Sequence, residues 1–285
     1  MDTDTFTNTD IINFAEKNFI NIKINTDNEY GYELFKKYNG QGLPTILFIN
    51  PDGSERDRFV GYYDSDAYLE KMNDVYNNIN TLDYYLDQYK LNSTLTDISL
   101  KIGNKYIERN QNKNAKKYYE NVLLDGSEKQ LLEATYKLAY LEYENANFKP
   151  LIKFINEYPN SDFTYSALRS LIRYYKGQNN KIEELKYYEK LILSFPRNPQ
   201  ALNSYSWRMS ELGMNLEKAL NKVQLAVELT QNDPSVQANI LDTEAELLWK
   251  LTKTEEAIIV INKALKIDPE NEYYQEQKNK FLESL

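Results

Sequence analysis

The chain has 285 residues, enough for one large core or two domains, and its 41% hydrophobic and 27% charged composition is that of a folded globular protein. A formal net charge of −9 without any basic block excludes the clustered Lys and Arg that nucleic-acid backbones and anionic membranes require. With no Cys and no His there is no thiol nucleophile, disulfide or imidazole base, and no usual ligand for structural zinc, so neither metal nor cofactor is expected.

The first twenty residues carry Asp2, Asp4 and Asp10 and lack a basic start followed by an apolar run, so the chain as given reads without a signal peptide. No stretch approaches the roughly 18 consecutive apolar residues of a membrane helix. Residues 9–17 (TDIINFAEK) predict a short helix with Thr9 as its N-cap. Residues 18–25 (NFINIKIN) switch to period two, placing Ile20, Ile22 and Ile24 on one face of a predicted strand. A helix follows over 28–38 and is closed by the Asn-Gly-Gln-Gly run at 39–42.

Pro44 precedes the most strand-like run, TILFI at 45–49. Asn50-Pro51-Asp52-Gly53 has the residues of a type I turn, so 55–61 is expected to fold back as a hairpin. Asp64 or Ser65 should cap a helix reaching about residue 78, and 81–93 reads as a linker.

From residue 94 the period is helical, in pairs. Ala257 and Ala264 lie seven apart, and Ala219 and Ala226 repeat them 38 residues earlier, with Pro269 and Pro234 closing the respective pairs. Weaker copies occupy 182–196, 148–159 and 114–124. Such an interval marks helical hairpins that bury their apolar faces only by stacking. About five pairs fit between 94 and 268, and 270–284 reads as a capping helix. The pairs Tyr118-Tyr119, Tyr174-Tyr175 and Tyr187-Tyr188 are each expected to place at least one ring between repeats.

No motif for catalysis emerges. DTDTFTNTD at 2–10 lacks the Gly and Glu of a calcium loop. Glu183-Glu184 and Glu255-Glu256 are neighbours near helix starts, where they do not face each other across a substrate. Gly40, Gly42 and Gly53 do not have phosphate-loop spacing.

The second half resembles the tetratricopeptide family, best over 235–269, where Leu241, Ala245, Leu248, Ala257, Ile261, Ala264 and Pro269 occupy the family's signature places. The earlier repeats lack its usual Gly at the turn position of the first helix and vary in length. The first half resembles the later part of the thioredoxin family, through residues 5–27, 32–53 and 58–72. The combination implies an incomplete thioredoxin-like α/β segment at 1–80, the linker at 81–93, and a tetratricopeptide-like α-solenoid at 94–285.

The thioredoxin resemblance implies a cis Leu43–Pro44 bond, with Leu43, Pro44 and Thr45 forming the loop that faces a Cys-x-x-Cys pair and pairs with bound peptide. That pair and its strand would precede Met1, in the centre of the sheet. Either the sheet closes without it, or the sequence is the downstream portion of a longer protein, which is the expectation. The tetratricopeptide resemblance implies a concave groove carrying Arg169, Arg173, Arg208, Asn239, Asp242, Glu246 and Trp249, whose arginines could hold an acidic segment or terminal carboxylate. The reading is thus a non-catalytic module for a protein or peptide partner, with no nucleic acid and no membrane insertion. The alternative is part of a thiol-disulfide oxidoreductase with upstream cysteines. A chain starting at Met1 would be cytoplasmic; a fragment of a signal-bearing protein would be extracytoplasmic.

Overall fold

In the computed structural model, which describes all 285 residues, Asn8 rather than Thr9 caps the first helix, accepting hydrogen bonds from the amides of Asp10 and Ile11 at 2.9 and 3.3 Å. The side-chain carbonyl of Asn8 satisfies donors that no intrahelical bond can reach, and it fixes α1 at Thr9–Asn18. Asn28 and Asp64 do the same for α2 (Glu29–Lys37) and α3 (Ser65–Tyr76). Strands β1 (Thr45–Ile49) and β2 (Glu55–Val60) form the expected antiparallel hairpin, with Ile46 opposite Phe59, Phe48 opposite Asp57 and a bulge at Phe48/Ile49. Phe48 and Phe59 enter a core with Ile11 of α1 and Tyr68, Met72 and Val75 of α3. Their rings, with Phe6, Phe19 and Tyr63, meet mostly edge to face at centroid separations of 5.1–5.6 Å.

The strand expected at 18–25 does not form. The sheet contains only β1 and β2, and Ile20 and Ile22 are 93% and 75% exposed. Alternation alone does not make a strand, and the backbone groups of 20–25 make no backbone hydrogen bond with any neighbour.

The expected linker at 81–93 also differs, because it holds helix α4 (Leu82–Leu91). Thr81 caps it, and Tyr85 is buried with its hydroxyl donating to Asn80 Oδ1 at 2.9 Å. Helix α5 (Thr96–Glu108) then packs on α4 and brings two cations to β2. Lys105 Nζ and Arg109 Nη2 meet the Asp57 carboxylate at 2.5 and 2.8 Å, and Arg109 Nε meets Glu55 at 3.0 Å. Arg58, also buried, pairs with Glu55 and donates to the carbonyls of Tyr38, Asn39 and Glu108. Residues 1–80 therefore share buried charge with the first helical hairpin. The chain divides into two compact units at Met1–Ile152 and Lys153–Leu285.

The first unit continues through α6 (Asn112–Asp125) and α7 (Glu128–Glu144), and α8 (Lys149–Glu157) crosses the boundary. Gly103 of α5 lies where any Cβ would come within 2.4 Å of the Tyr119 ring of α6, so only glycine permits this approach. Tyr119 is fully buried and its hydroxyl donates to Asn104 at 2.7 Å, making it the core member of its tyrosine pair.

The second unit contains the hairpins α9 (Asp162–Gly177) with α10 (Lys181–Ser194), α11 (Pro199–Leu212) with α12 (Leu216–Leu229), and α13 (Pro234–Lys250) with α14 (Thr254–Ile267), closed by α15 (Glu272–Leu282). The repeated alanines 219, 226, 257 and 264 have no exposed surface. Tyr187 and Tyr188 are both buried, whereas Tyr174 and Tyr175 are both half-buried, so no core ring comes from that pair.

The turns that join paired helices are made by residues in the left-handed region, only one of them a glycine. These are Asn110, Ala146, Asn179, Gly213 with Asn215, and Thr252, with φ between 51° and 63°. Asn and Gly tolerate this region, but a β-branched residue crowds its own carbonyl there. Thr252→Gly is accordingly expected to stabilise the chain by about 1 kcal/mol in urea unfolding. An unchanged or lowered midpoint would show that Thr252 is held by contacts worth more than its strain.

Candidate functional site

Two regions carry the residues singled out above. In the first unit the Leu43–Pro44 bond is cis. Leu43 and Pro44 are exposed, Thr45 is half-buried and donates to the carbonyl of Gly42, and Gly61 N donates to Pro44 O at 2.9 Å. The loop before it is tied down by Gln41, whose amide donates to the carbonyl of Ile107 at 2.9 Å. Thr5 Oγ1 donates to Tyr63 O at 2.7 Å, which brings the first residues of the chain to the strand end beside Pro44.

The polar groups there are Asp4 and Tyr62. The Tyr62 hydroxyl donates to Asp4, which holds that carboxylate well below its ordinary range, aided by the N-terminal ammonium at 2.9 Å. The same bond holds the phenol proton more tightly than usual. An ionised acid locked to a protonated phenol supplies neither a base nor a nucleophile near neutral pH. The structure brings no three acidic side chains together as a metal-ligand set.

In the second unit the seven residues expected to line a groove separate into three groups. Arg169 and Arg173 sit one turn apart on α9, both exposed and outside every ion pair, with Arg169 lying 5.7 Å from the Tyr165 ring centre. Arg208 on α11 is committed elsewhere. Its Nε and Nη2 bind the two oxygens of Glu184 at 2.6 and 3.0 Å, and its Nη1 binds Glu211 at 2.9 Å. Glu184 has no exposed surface, so this fork neutralises a buried carboxylate.

Asn239, Asp242, Glu246 and Trp249 gather on α13 against α15. Tyr274 donates to Asn239 Oδ1 at 3.0 Å, Lys280 pairs with Glu246, and Trp249 Nε1 donates to Ser284 Oγ at 2.8 Å. Lys280 also lies over the Trp249 ring at 4.5 Å. Sequence reasoning missed Lys280 and took Glu184 only as half of a helix-start acidic pair. Lys280 stands on the capping helix, 34 residues from Glu246, and that separation close to the repeat length was the signal available.

Asp242 is 6% exposed and its Oδ1 has no hydrogen-bond donor. Desolvation, followed by the neighbouring Glu246 charge, pushes its pKa from 3.8 up to about 6. The folded state thus holds a proton that the unfolded chain releases between about pH 4 and 6, and stability falls as pH rises through that window. The loss is about 2–3 kcal/mol and is complete above it. Asp242→Asn should remove that slope and raise stability at pH 7.5 relative to pH 4.5, as read by urea unfolding. An identical pH slope in the variant would show that Asp242 ionises freely.

Comparison with known proteins supports both resemblances. Residues 1–76 match the thioredoxin-like domain family, and residues 238–271 match the tetratricopeptide repeat family. Over 54 residues, 18% of this chain, the sequence is 39% identical to the thiol:disulfide interchange protein DsbD of Pseudomonas fluorescens, and the match spans 9% of that protein. Among solved structures, a thermophilic TPR protein of Thermus thermophilus aligns with 66% of this chain and 98% of its own at 18% identity and TM-score 0.35. A tetratricopeptide repeat protein from Parabacteroides merdae aligns with 75% of this chain and 79% of its own at 16% identity and TM-score 0.39. By the two family matches and the order of its elements, the chain carries a thioredoxin-like α/β segment with a two-stranded sheet, followed by a tetratricopeptide-like helical solenoid.

Proposed function

We propose that this chain is a non-catalytic protein-interaction module whose helical repeats bind an acidic segment or terminal carboxylate of a protein partner. The observation that carries this reading is the pair Arg169 and Arg173, exposed on one helix and unpaired in a chain of net charge −9. Arg208, Lys218 and Lys280 of the same unit are by contrast each paired with one of its own carboxylates. Two guanidinium groups one turn apart match the spacing of alternate carboxylates, which share one face of an extended peptide.

The test is fluorescence anisotropy with a labelled peptide ending in several glutamates. Binding should weaken with salt, and Arg169→Ala with Arg173→Ala should weaken it about ten-fold or more. Equal affinity in the double variant would overturn the assignment.

A second reading is favoured by the match to the thiol:disulfide interchange protein. In that reading residues 1–80 are the scaffold and substrate-binding part of an oxidoreductase whose cysteines lie ahead of Met1. This chain by itself should show no disulfide reduction, since exchange requires a thiolate and the sequence has none. Intact mass and N-terminal sequencing of the protein from its native cells discriminate the readings. Extra residues bearing two cysteines would favour the second, and a product of 33.6 kDa the first.

A further inference from the structure

The carboxylates of Asp57, Glu184, Asp242, Glu244 and Glu246 are all buried. Asp57, Glu184 and Glu246 each meet a Lys or Arg, as a charge taken out of water requires. Asp242 and Glu244 meet neither, and they differ in what lies before them. Asp242 has its Oδ1 enclosed, whereas Glu244 of α13, 9% exposed, opens on a cleft. Glu244 Oε1 accepts only from the neutral amide of Gln224 on α12, at 3.2 Å, and its second oxygen has no donor from the protein.

The cleft has a volume of about 480 Å³, within the range of about 300–1,000 Å³ that small-molecule sites span. Helices α12, α13 and α14 enclose it, and Gln237 of α13 fastens one wall by donating to the carbonyl of Val227 on α12 at 3.1 Å. Buried Leu241 and half-buried Val227 and Ile267 give it an apolar lining. Lys263 of α14 stands at the same cleft, exposed, acting on Glu244 by its charge but forming no ion pair with it or with any other group. Glu228 of α12 is the one further charged group there. Desolvation raises the pKa of Glu244, while the Gln224 bond and the Lys263 charge oppose that rise.

We propose that this cleft binds a free aliphatic α-amino acid, its ammonium on Glu244, its carboxylate on Lys263 and its side chain on Val227, Leu241 and Ile267. A carboxylate and an ammonium that share a cleft without meeting leave a place for a ligand carrying both opposite charges. A simple amine would leave Lys263 facing a like charge, and a simple carboxylate would do the same to Glu244. The cleft shares no residue with Arg169 and Arg173, so failure of acidic-peptide binding leaves it untouched.

The test is calorimetry on the full chain with L-leucine, and with its two fragments isoamylamine, which lacks the carboxylate, and isocaproate, which lacks the ammonium. Leucine should bind, and each fragment should bind about ten-fold more weakly or worse. Glu244→Gln, which keeps the shape and an acceptor for Gln224, should lower leucine affinity about ten-fold. Lys263→Met should do the same without moving the unfolding midpoint, because that side chain is exposed and unpaired. No heat at millimolar leucine, either fragment binding as tightly as leucine, or unaltered affinity in Lys263→Met would overturn the proposal.

Discussion

Asp57→Ala is expected to destabilise the chain by about 3–5 kcal/mol, the largest effect of any substitution in the first unit. Asp57 is 2% exposed and receives both Lys105 and Arg109, themselves 15% and 6% exposed in their side chains. Truncation would leave two desolvated cations facing one another, with Glu55 beside Arg109 and Glu108 3.9 Å from Lys105 as the remaining counter-charges. Asp57→Asn, which keeps the shape and one acceptor, should cost less than the alanine. Urea unfolding followed by circular dichroism measures the loss, and a cycle with Arg109→Ala should return a coupling of about 1–3 kcal/mol. A cost below about 1 kcal/mol for the alanine would mean that water reaches the cluster and screens it.

Arg208→Ala is expected to cost a similar 3–5 kcal/mol in the second unit, because it strands the Glu184 carboxylate without counter-charge. Arg208→Lys should recover only part of this, since an ammonium cannot reproduce the two-pronged contact. Converting the pair together, Arg208→Met with Glu184→Leu, should restore most of the stability. These outcomes separate a packing role from a ligand-binding one. If Arg208 instead faced a partner, the alanine variant would melt normally and lose only affinity.

The contrast between these residues explains what the sequence could convey. Local signals were readable: Asn28 and Asp64 cap the helices where a short polar side chain precedes an apolar period, and the 38-residue alanine interval marks positions that are fully buried. The hairpin at 45–60 followed from its turn residues. Pairings at a distance were not readable. The charged run ERDR at 55–58 has the look of a solvated strand, and it is buried only because α5 delivers Lys105 and Arg109 from some 50 residues away.

Period two at 18–25 predicted a strand that does not form, because a strand needs a partner that the local pattern cannot supply. Of the seven groove residues, Arg169 and Arg173 could be judged from one helix alone. The place of Arg208 depended on Glu184, which looked like half of an ordinary helix-start acidic pair. The position of Glu246 and Trp249 depended on α15, whose weak apolar pattern concealed that Lys280 and Ser284 reach back to them.

The charged contacts between β2 and α5 also have a mechanical meaning. Strand and helix are clamped at several points at once, through Asp57, Glu55 and Arg58, and a joint fixed at several points does not swivel. Any load applied to the hairpin of β1 and β2 is therefore passed to α5 as a rigid lever, and Gly103 lets that lever bear directly on the ring of Tyr119. A tug on the sheet is felt one helix further on.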